Sequence, residues 1–258
     1  MDTFVINPMV NILLLIYGFL GHNFGLAIIA FTILIRLITL PLTLQQQRST
    51  QKMQELQQGK KMQDLQKKFK DDKQKLQEET LKLYKEVGFN PLSGCLPTLI
   101  QFPIIIGLYQ AIILALAASP IQLLGLSRRF YPFITWMSSL VPLNNRFLWM
   151  NLAQPERLPI GPDSVLPGVL TILVVITTYL SSKLATPASP DAQGSQMNQM
   201  MTLYMPLLLG WFSYSFSAGL ALYFVVSNLL QVAQYAIFGK VNWRNLLSLR
   251  SPAPAKKP

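Results

Sequence analysis

Residues 31–42, FTILIRLITLPL, place a permanent positive charge, Arg36, in an apolar run with no acidic residue near it. Of the 258 residues, 51% are apolar and 13% are charged, whereas soluble domains carry about 25% charged residues. The apolar residues also cluster into long runs that alternate with charge-rich ones. The sequence therefore predicts an all-α polytopic membrane protein with Arg36 inside one of its spans.

Five apolar segments are long enough, or nearly so, to supply the roughly 20 residues that a spanning helix needs. They predict transmembrane helices at 24–44, 96–116, 165–184, 199–215 and 218–238. An earlier apolar run, residues 8–20, is too short to span. Residues 1–23 are therefore predicted to form an interfacial helix on the outer surface.

Lysine and arginine in the loops predict the orientation of these spans. The segment 45–95 holds eleven of them and the tail 239–258 holds five, against four in the loop 117–164. The positive-inside rule then places the N-terminus outside and the C-terminus, with the short loop 185–198, in the cytoplasm. Because no transit peptide is recognisable, the expected location is a bacterial plasma membrane. Nucleic-acid binding is the weaker interpretation of the net charge of +11.

The two longest loops differ in character. Segment 45–95 has helical periodicity in two stripes, and Asp71 and Asp72 between them suit a helix N-cap, which predicts a cytoplasmic two-helix hairpin. The stripes are Met62, Leu65 and Phe69, then Leu76, Leu83 and Val87. A solvated linker is the alternative. Loop 117–164, with Trp136 and Trp149, predicts an outer interfacial segment.

Burying a lone arginine in a span costs from about 3 to more than 10 kcal/mol. Helical side chains tilt toward their own N-terminus, which in this orientation leads Arg36 away from the nearer, cytoplasmic interface. A water-filled recess within the bundle therefore accounts for Arg36 better than snorkelling. Because the role is charge at a distance, lysine is expected to serve at this position.

Polar residues in the other spans could line such a recess, although each alone is more often a helix-packing hydrogen bonder. They are Thr32, Gln101, Gln110, Thr177, Thr178, Ser181, Ser182, Tyr223, Ser227, Asn228, Gln231 and Gln234. Residues 223, 227, 231 and 234 fall on one face of the fifth span. No predicted span contains an acidic residue, so the recess is expected to be electropositive.

The sequence lacks the groups that several kinds of membrane enzyme need. It has one histidine, His22, one cysteine, Cys95, and no carboxylate in any span, which excludes an intramembrane protease and a multi-cysteine metal site. There is no Walker-type phosphate loop. The prediction is a protein without catalytic residues, metal or cofactor.

Three stretches, FTILIRLITLPL, NPLSGCLPTLIQFP and SAGLALYFVVSNLLQ, resemble the YidC/Oxa/Alb family of membrane protein insertases, and the similarity runs from about residue 22 to 240. The resemblance implies five helices around a hydrophilic groove that is open to the cytoplasm and lipid and closed to the outside. The implied partners are nascent membrane proteins, the lipid bilayer, the Sec translocon and the ribosome. No specific nucleic-acid sequence is implied.

The resemblance also implies roles for individual residues. Arg36 matches the arginine of the groove, and Thr32 matches the polar residue one turn before it. Phe224, after Tyr223, matches an aromatic residue that contacts the client, and Ser182 lies near a glutamine of some relatives. The third and fifth spans match the two helices that provide an apolar surface for the apolar part of the client.

Two other functions remain open from the sequence. One is an anion transporter or channel that uses Arg36 as its selectivity charge. The other is a chaperone that holds helices for a larger translocon without inserting them.

Overall fold

The computed structural model describes residues 6–69, 72–86, 96–115, 143–159, 165–185 and 192–238. Within these ranges the chain is mostly helical, with two short antiparallel ribbons. The helices are α1 Asn7–Phe19, α2 Phe24–Gln58, α3 Lys60–Lys68, α4 Lys73–Glu86, α5 Leu96–Ala115, α6 Val169–Ala185, α7 Ala192–Ser215 and α8 Ala218–Phe238. The strands are β1 Arg146–Phe147, β2 Met150–Asn151, β3 Arg157–Pro159 and β4 Val165–Pro167.

Helix α1 is part of the core. Its stripe of Val10, Leu13 and Leu14 is completely buried and packs against α2 and α5. The apolar face therefore meets protein, whereas the sequence predicts an interfacial helix on a membrane surface. Gly21 and His22, both with positive φ, reverse the chain between α1 and α2.

Helix α2 begins where the side chain of Asn23 accepts a hydrogen bond from the N–H of Leu26, at 3.1 Å. It then continues through Pro41 to Gln58, about 50 Å at 1.5 Å per residue. The sequence predicts an end near residue 44. The helix runs on because the Gln-rich segment that follows contains good helix formers and no breaker until Gly59.

Two helices in the described part of the chain are long and apolar enough to cross a bilayer by length and composition. They are Phe24–Ser49, which is the first part of α2, and Ala218–Phe238, which is all of α8. Three shorter apolar helices accompany them: Asn7–Phe19, Pro103–Ala115 and Val169–Ala185.

A helical hairpin follows α2. Helix α3 packs against α4, with Met62 and Leu83 buried. The side chain of Asp72 accepts a hydrogen bond from the N–H of Lys75, at 3.1 Å, and so caps α4. Asp71 and Val87, two other residues of the predicted pattern, lie outside the described residues.

The predicted loop 117–164 is described at residues 143–159, which contain β1, β2 and β3. Strand β1 pairs with β2, and β3 pairs with β4 through Leu158 opposite Leu166. Residues 165–167, predicted to begin the third span, thus lie in a strand. Helix α6 starts at Val169 because Glu156 caps it, its Oε2 accepting from the N–H of Leu170 at 2.7 Å.

Helix α7 begins at Ala192, seven residues before the predicted start at 199, so it takes up part of the predicted loop 185–198. Helix α8 covers the predicted 218–238. Residues 186–191 and the tail 239–258 lie outside the described residues.

The segment 143–156 closes one end of the bundle, which we call the ribbon end. The N–H groups of Ala218 and Gly219, at the start of α8, donate to the carbonyls of Gln154 (2.8 Å) and Leu152 (3.0 Å). The N–H of Asn144 donates to the Tyr17 hydroxyl of α1, at 3.0 Å. These bonds satisfy helix-end donors and join the segment to two helices.

Helices α2 and α8 lie side by side and parallel. Ile28, Arg36 and Thr43 of α2 contact Gly219, Ser227 and Gln234 of α8, and each pair is separated by 191 residues. We call this contact the α2–α8 seam. Its opposite end, beside the α3–α4 hairpin, is the hairpin end.

Gly219→Leu should destabilise the bundle at the ribbon end of the seam. A Cβ at this position would lie 3.1 Å from Cγ2 of Ile112, 3.2 Å from Cδ1 of Ile28 and 3.2 Å from the carbonyl O of Leu152. Overpacking of this kind costs about 1 to 3 kcal/mol. We expect a lower melting temperature in detergent, whereas Ala233→Leu on the exposed face of α8 should change it little. Equal melting of the two variants would contradict the close packing.

The Asp72 cap should make the stability of α4 pH-dependent. Hydrogen bonding from the N–H of Lys75 holds the pKa of Asp72 below its usual value. A lowered native pKa means that the cap contributes fully above the unfolded pKa of about 3.9 and is lost as pH falls through the native pKa.

Hydrogen exchange in α4 provides the measurement. Asp72→Asn keeps a capping acceptor that cannot titrate. Protection of α4 in the wild type should fall relative to this variant below about pH 4. Parallel pH profiles for the two proteins would show that the carboxylate does not stabilise the helix.

Candidate functional site

Arg36 lies in the middle of the α2–α8 seam, half-buried. Its Nε donates to the hydroxyl of Ser227, at 3.1 Å. Its Nη2 donates to the same hydroxyl at 2.6 Å, to the carbonyl O of Ser227 at 2.8 Å and, more weakly, to Oε1 of Gln231 at 3.4 Å. The guanidinium therefore reaches sideways to α8 and not along α2 toward either end.

The acceptors around this guanidinium are all neutral. Within the described residues the ion pairs are Lys75 with Asp72 and Lys82 with Glu79, both in the hairpin. Hydrogen bonds to Ser227 and Gln231 fix the orientation of the guanidinium but leave its charge uncompensated. The site is consequently electropositive, and a carboxylate would bind it more strongly than the present neutral acceptors do.

A second polar pair lies two turns from Arg36 toward the hairpin end. Gln234 Nε2 donates to Oγ1 of Thr43, at 3.1 Å. The structure thus brings Ser227, Gln231 and Gln234 together on the face of α8 that contacts α2, the face that helical periodicity predicts. Thr43 is missing from the sequence prediction, although its seven-residue spacing from Arg36 places it on the same face.

The other predicted polar residues of the first and third spans make packing contacts. Thr32 is completely buried and donates to the carbonyl of Ile28 in its own helix, at 2.6 Å. Asn228 Nδ2 donates to the hydroxyls of Thr178 (2.8 Å) and Thr177 (3.3 Å), which ties α8 to α6. Ser181 donates to the carbonyl of Thr178. Ser182 is half-buried near the end of α6.

The aromatic residues and the α5 glutamines of the predicted groove differ in their exposure. Tyr223 is 2% exposed and Phe224 is 7% exposed, so the expected client-contacting ring of Phe224 is covered in this structure. Gln110 lies on the exposed stripe of α5 between Ile106 and Ile113. The side chain of Gln101 lies outside the described residues.

Glu156 is a polar residue of the ribbon end that the sequence analysis missed. Besides capping α6 through Oε2, it accepts from the indole Nε1 of Trp149 through Oε1, at 2.7 Å. Glu156 and Asp163 are the two acidic residues of the predicted loop 117–164, and this scarcity could have singled Glu156 out.

Comparisons with known proteins identify the family of the chain. The family model of the 60Kd inner membrane protein matches residues 15–244. Membrane protein insertase MisCA of Bacillus subtilis is 37% identical over 237 residues, which is 90% of this chain and 77% of that protein. Membrane protein insertase YidC of Clostridium perfringens is 35% identical over 247 residues, 89% of each chain.

Other relatives are longer than this chain. The chloroplastic inner membrane ALBINO3-like protein 2 of Chlamydomonas reinhardtii is 36% identical over 214 residues, 83% of this chain but 49% of that protein. A crystal structure of an active YidC insertase with its first transmembrane domain resolved aligns with a TM-score of 0.57 and 29% identity. It covers 90% of this chain and 45% of that one. The chain thus spans about half the length of these two proteins.

The family model covers most of the chain, and MisCA and the Clostridium YidC match it over most of their own lengths. The chain therefore belongs to the 60Kd inner membrane protein family, that of the YidC/Oxa/Alb insertases.

Proposed function

We propose that this protein inserts client transmembrane helices into a bilayer and helps them fold, without hydrolysing nucleotide. The observation that carries the proposal is the uncompensated charge of Arg36 inside the helical bundle, held by Ser227 and Gln231. A positive site within apolar surroundings attracts an acidic segment and lowers the barrier to its passage. Family membership supports the same activity.

The proposed architecture has five spans, with the ribbon end outside and the hairpin in the cytoplasm of a bacterial plasma membrane. The parallel course of α2 and α8 supports it, because the first and last of an odd number of spans must run the same way. The many lysines of 45–95 favour a cytoplasmic hairpin.

In the proposed mechanism a client's acidic outer segment enters from the hairpin end and is attracted to Arg36. The client's apolar stretch moves along the exposed aliphatic row of α6, Ile172, Leu173 and Ile176. Burial in lipid provides about 0.8 kcal/mol per CH₂. The membrane potential adds about 2.3 kcal/mol per charge per 100 mV for negative residues moving outward.

Segment 143–156 closes the ribbon end. This closure favours a groove that is closed at one end over an anion channel with Arg36 as its selectivity charge, because a channel must be open at both ends. The proposed partners are nascent membrane proteins and the lipid bilayer. Contact with the Sec translocon and the ribosome is proposed from the family resemblance alone. The chemistry is partition and electrostatics, so the protein acts as a non-enzymatic insertase.

Arg36→Ala should lower the insertion of a client with an acidic outer segment by about tenfold, because a charge pair in a partly buried site contributes a few kcal/mol before desolvation offsets it. The measurement is insertion into vesicles that contain the purified protein and no other factor. Arg36→Lys cannot reproduce the two-point contact with Ser227, but it retains the positive charge. Because the attraction of the client depends on that charge, Arg36→Lys should keep most of the activity.

Client charge provides the control. A client with a neutral outer segment should depend much less on Arg36, and equal losses for both clients would refute the electrostatic role. Anion flux through the same vesicles without client would support the channel. Client binding without insertion would support a holding chaperone.

A further inference from the structure

Consecutive residues of α8 hold it to two different helices. Ser227 accepts hydrogen bonds from Arg36 of α2, and Asn228 donates to Thr177 and Thr178 of α6. Helix α8 thus lies between α2 and α6, and two consecutive residues make polar contacts to the two neighbours. The α6 contact joins neutral side chains, whereas the α2 contact contains the half-buried charge of Arg36.

The α2–α8 seam changes character along its length. At the ribbon end it is apolar and close-packed, with Gly219 against Ile28, and residues 218–225 of α8 are all buried. From Ser227 onward its described contacts are polar, and the seam residues Gln231 and Gln234 are only half-buried. The ribbon end is therefore the closely packed end of the seam. At the hairpin end, α2 and α8 are the more easily separated.

The geometry of the guanidinium links client binding to the seam. A carboxylate binds arginine best through two parallel N–H donors. One such edge is Nε with Nη2, and the other is Nη1 with Nη2. Nη2 contributes one of its two hydrogens to each edge, and both are engaged by α8, since Nη2 donates to the hydroxyl and carbonyl of Ser227 and, at longer range, to Gln231. Two-point capture of a carboxylate on either edge therefore takes one Nη2 donor away from α8.

We propose that Ser227 is a positioning residue that couples recognition of an acidic client to separation of the α2–α8 seam. Client carboxylate exchanges with Ser227 and Gln231 at Arg36, and the seam opens from the hairpin end. Helix α8 stays joined to α6 through Asn228, and the apolar contacts around Gly219 act as the pivot. This inference rests on the proposed insertase function and adds a conformational step to it.

Reversible crosslinking of the seam tests the proposal. Cys95 is the chain's single cysteine, so Cys95→Ser provides the background. Thr43→Cys with Gln234→Cys places two thiols across the seam, where the native side chains are 3.1 Å apart. A short bifunctional methanethiosulfonate reagent joins them, and reductant releases them. Thr178→Cys with Asn228→Cys, whose native atoms are 2.8 Å apart, is the matched control inside the α6–α8 unit.

Joining the 43–234 pair should lower insertion of an acidic client at least several-fold, with recovery after reduction, while joining the 178–228 pair should leave insertion largely unchanged. Undiminished insertion with the seam joined would overturn the proposal, as would equal losses from both crosslinks. If the Cys95→Ser background inserts no client in the same vesicles, the proposed insertase function fails, and the next measurement still decides the coupling.

The rate of crosslinking between positions 43 and 234 reports seam opening without any insertion. An acidic client segment should slow this rate several-fold, and a neutral segment of the same length should not. Ser227→Ala should lower the rate even without client, and Ser227→Thr, which keeps the hydroxyl, should restore it. A rate that neither client charge nor Ser227→Ala changes would refute the coupling.

Discussion

The hydrogen bonds between Arg36 and Ser227 are the contact on which the arrangement of the bundle depends. An arginine in an apolar span is costly unless its donors find acceptors. Here Nε and Nη2 find them on a neighbouring helix, because α8 runs parallel to α2 and presents Ser227 and Gln231 one turn apart. The charge is thereby oriented without being neutralised.

Parallel packing over this distance requires a close approach at one end. Gly219 allows it, since even a methyl group there would press on Ile28, Ile112 and the carbonyl of Leu152. The same carbonyl accepts from the N–H of Gly219, so backbone contacts close the ribbon end at this close-packed position. The open, polar part of the seam is left at the hairpin end.

Local sequence patterns predict the features of this site that depend on a single helix. Periodicity places 227, 231 and 234 on one face of α8, and the bounds of α8 follow from its flanking Ser-rich turn and apolar length. Composition singles out Arg36 because a charge in an apolar run is rare. The Asp72 cap follows from the preference of aspartate for the N-cap.

Features that depend on two segments are not predictable in this way. Helix α6 starts at Val169 because β4 pairs with β3 and Glu156 caps the helix, and both contacts join separate segments of the chain. Periodicity predicts the helix face on which a residue lies but not the residue of another helix that it contacts. It therefore assigns Thr177 and Thr178 to a recess, whereas they bind Asn228. For the same reason it misses the pairing of Thr43 with Gln234.

The choice of neutral acceptors for Arg36 has a functional consequence. An aspartate or glutamate on α8 would bind the guanidinium more strongly through charge-assisted hydrogen bonds. It would also cancel the charge and compete with any acidic client. Ser227 and Gln231 satisfy the donors well enough to keep the helix packing, yet a carboxylate can replace them. The site thus gives up some stability at the seam and keeps a positive charge available for recognition.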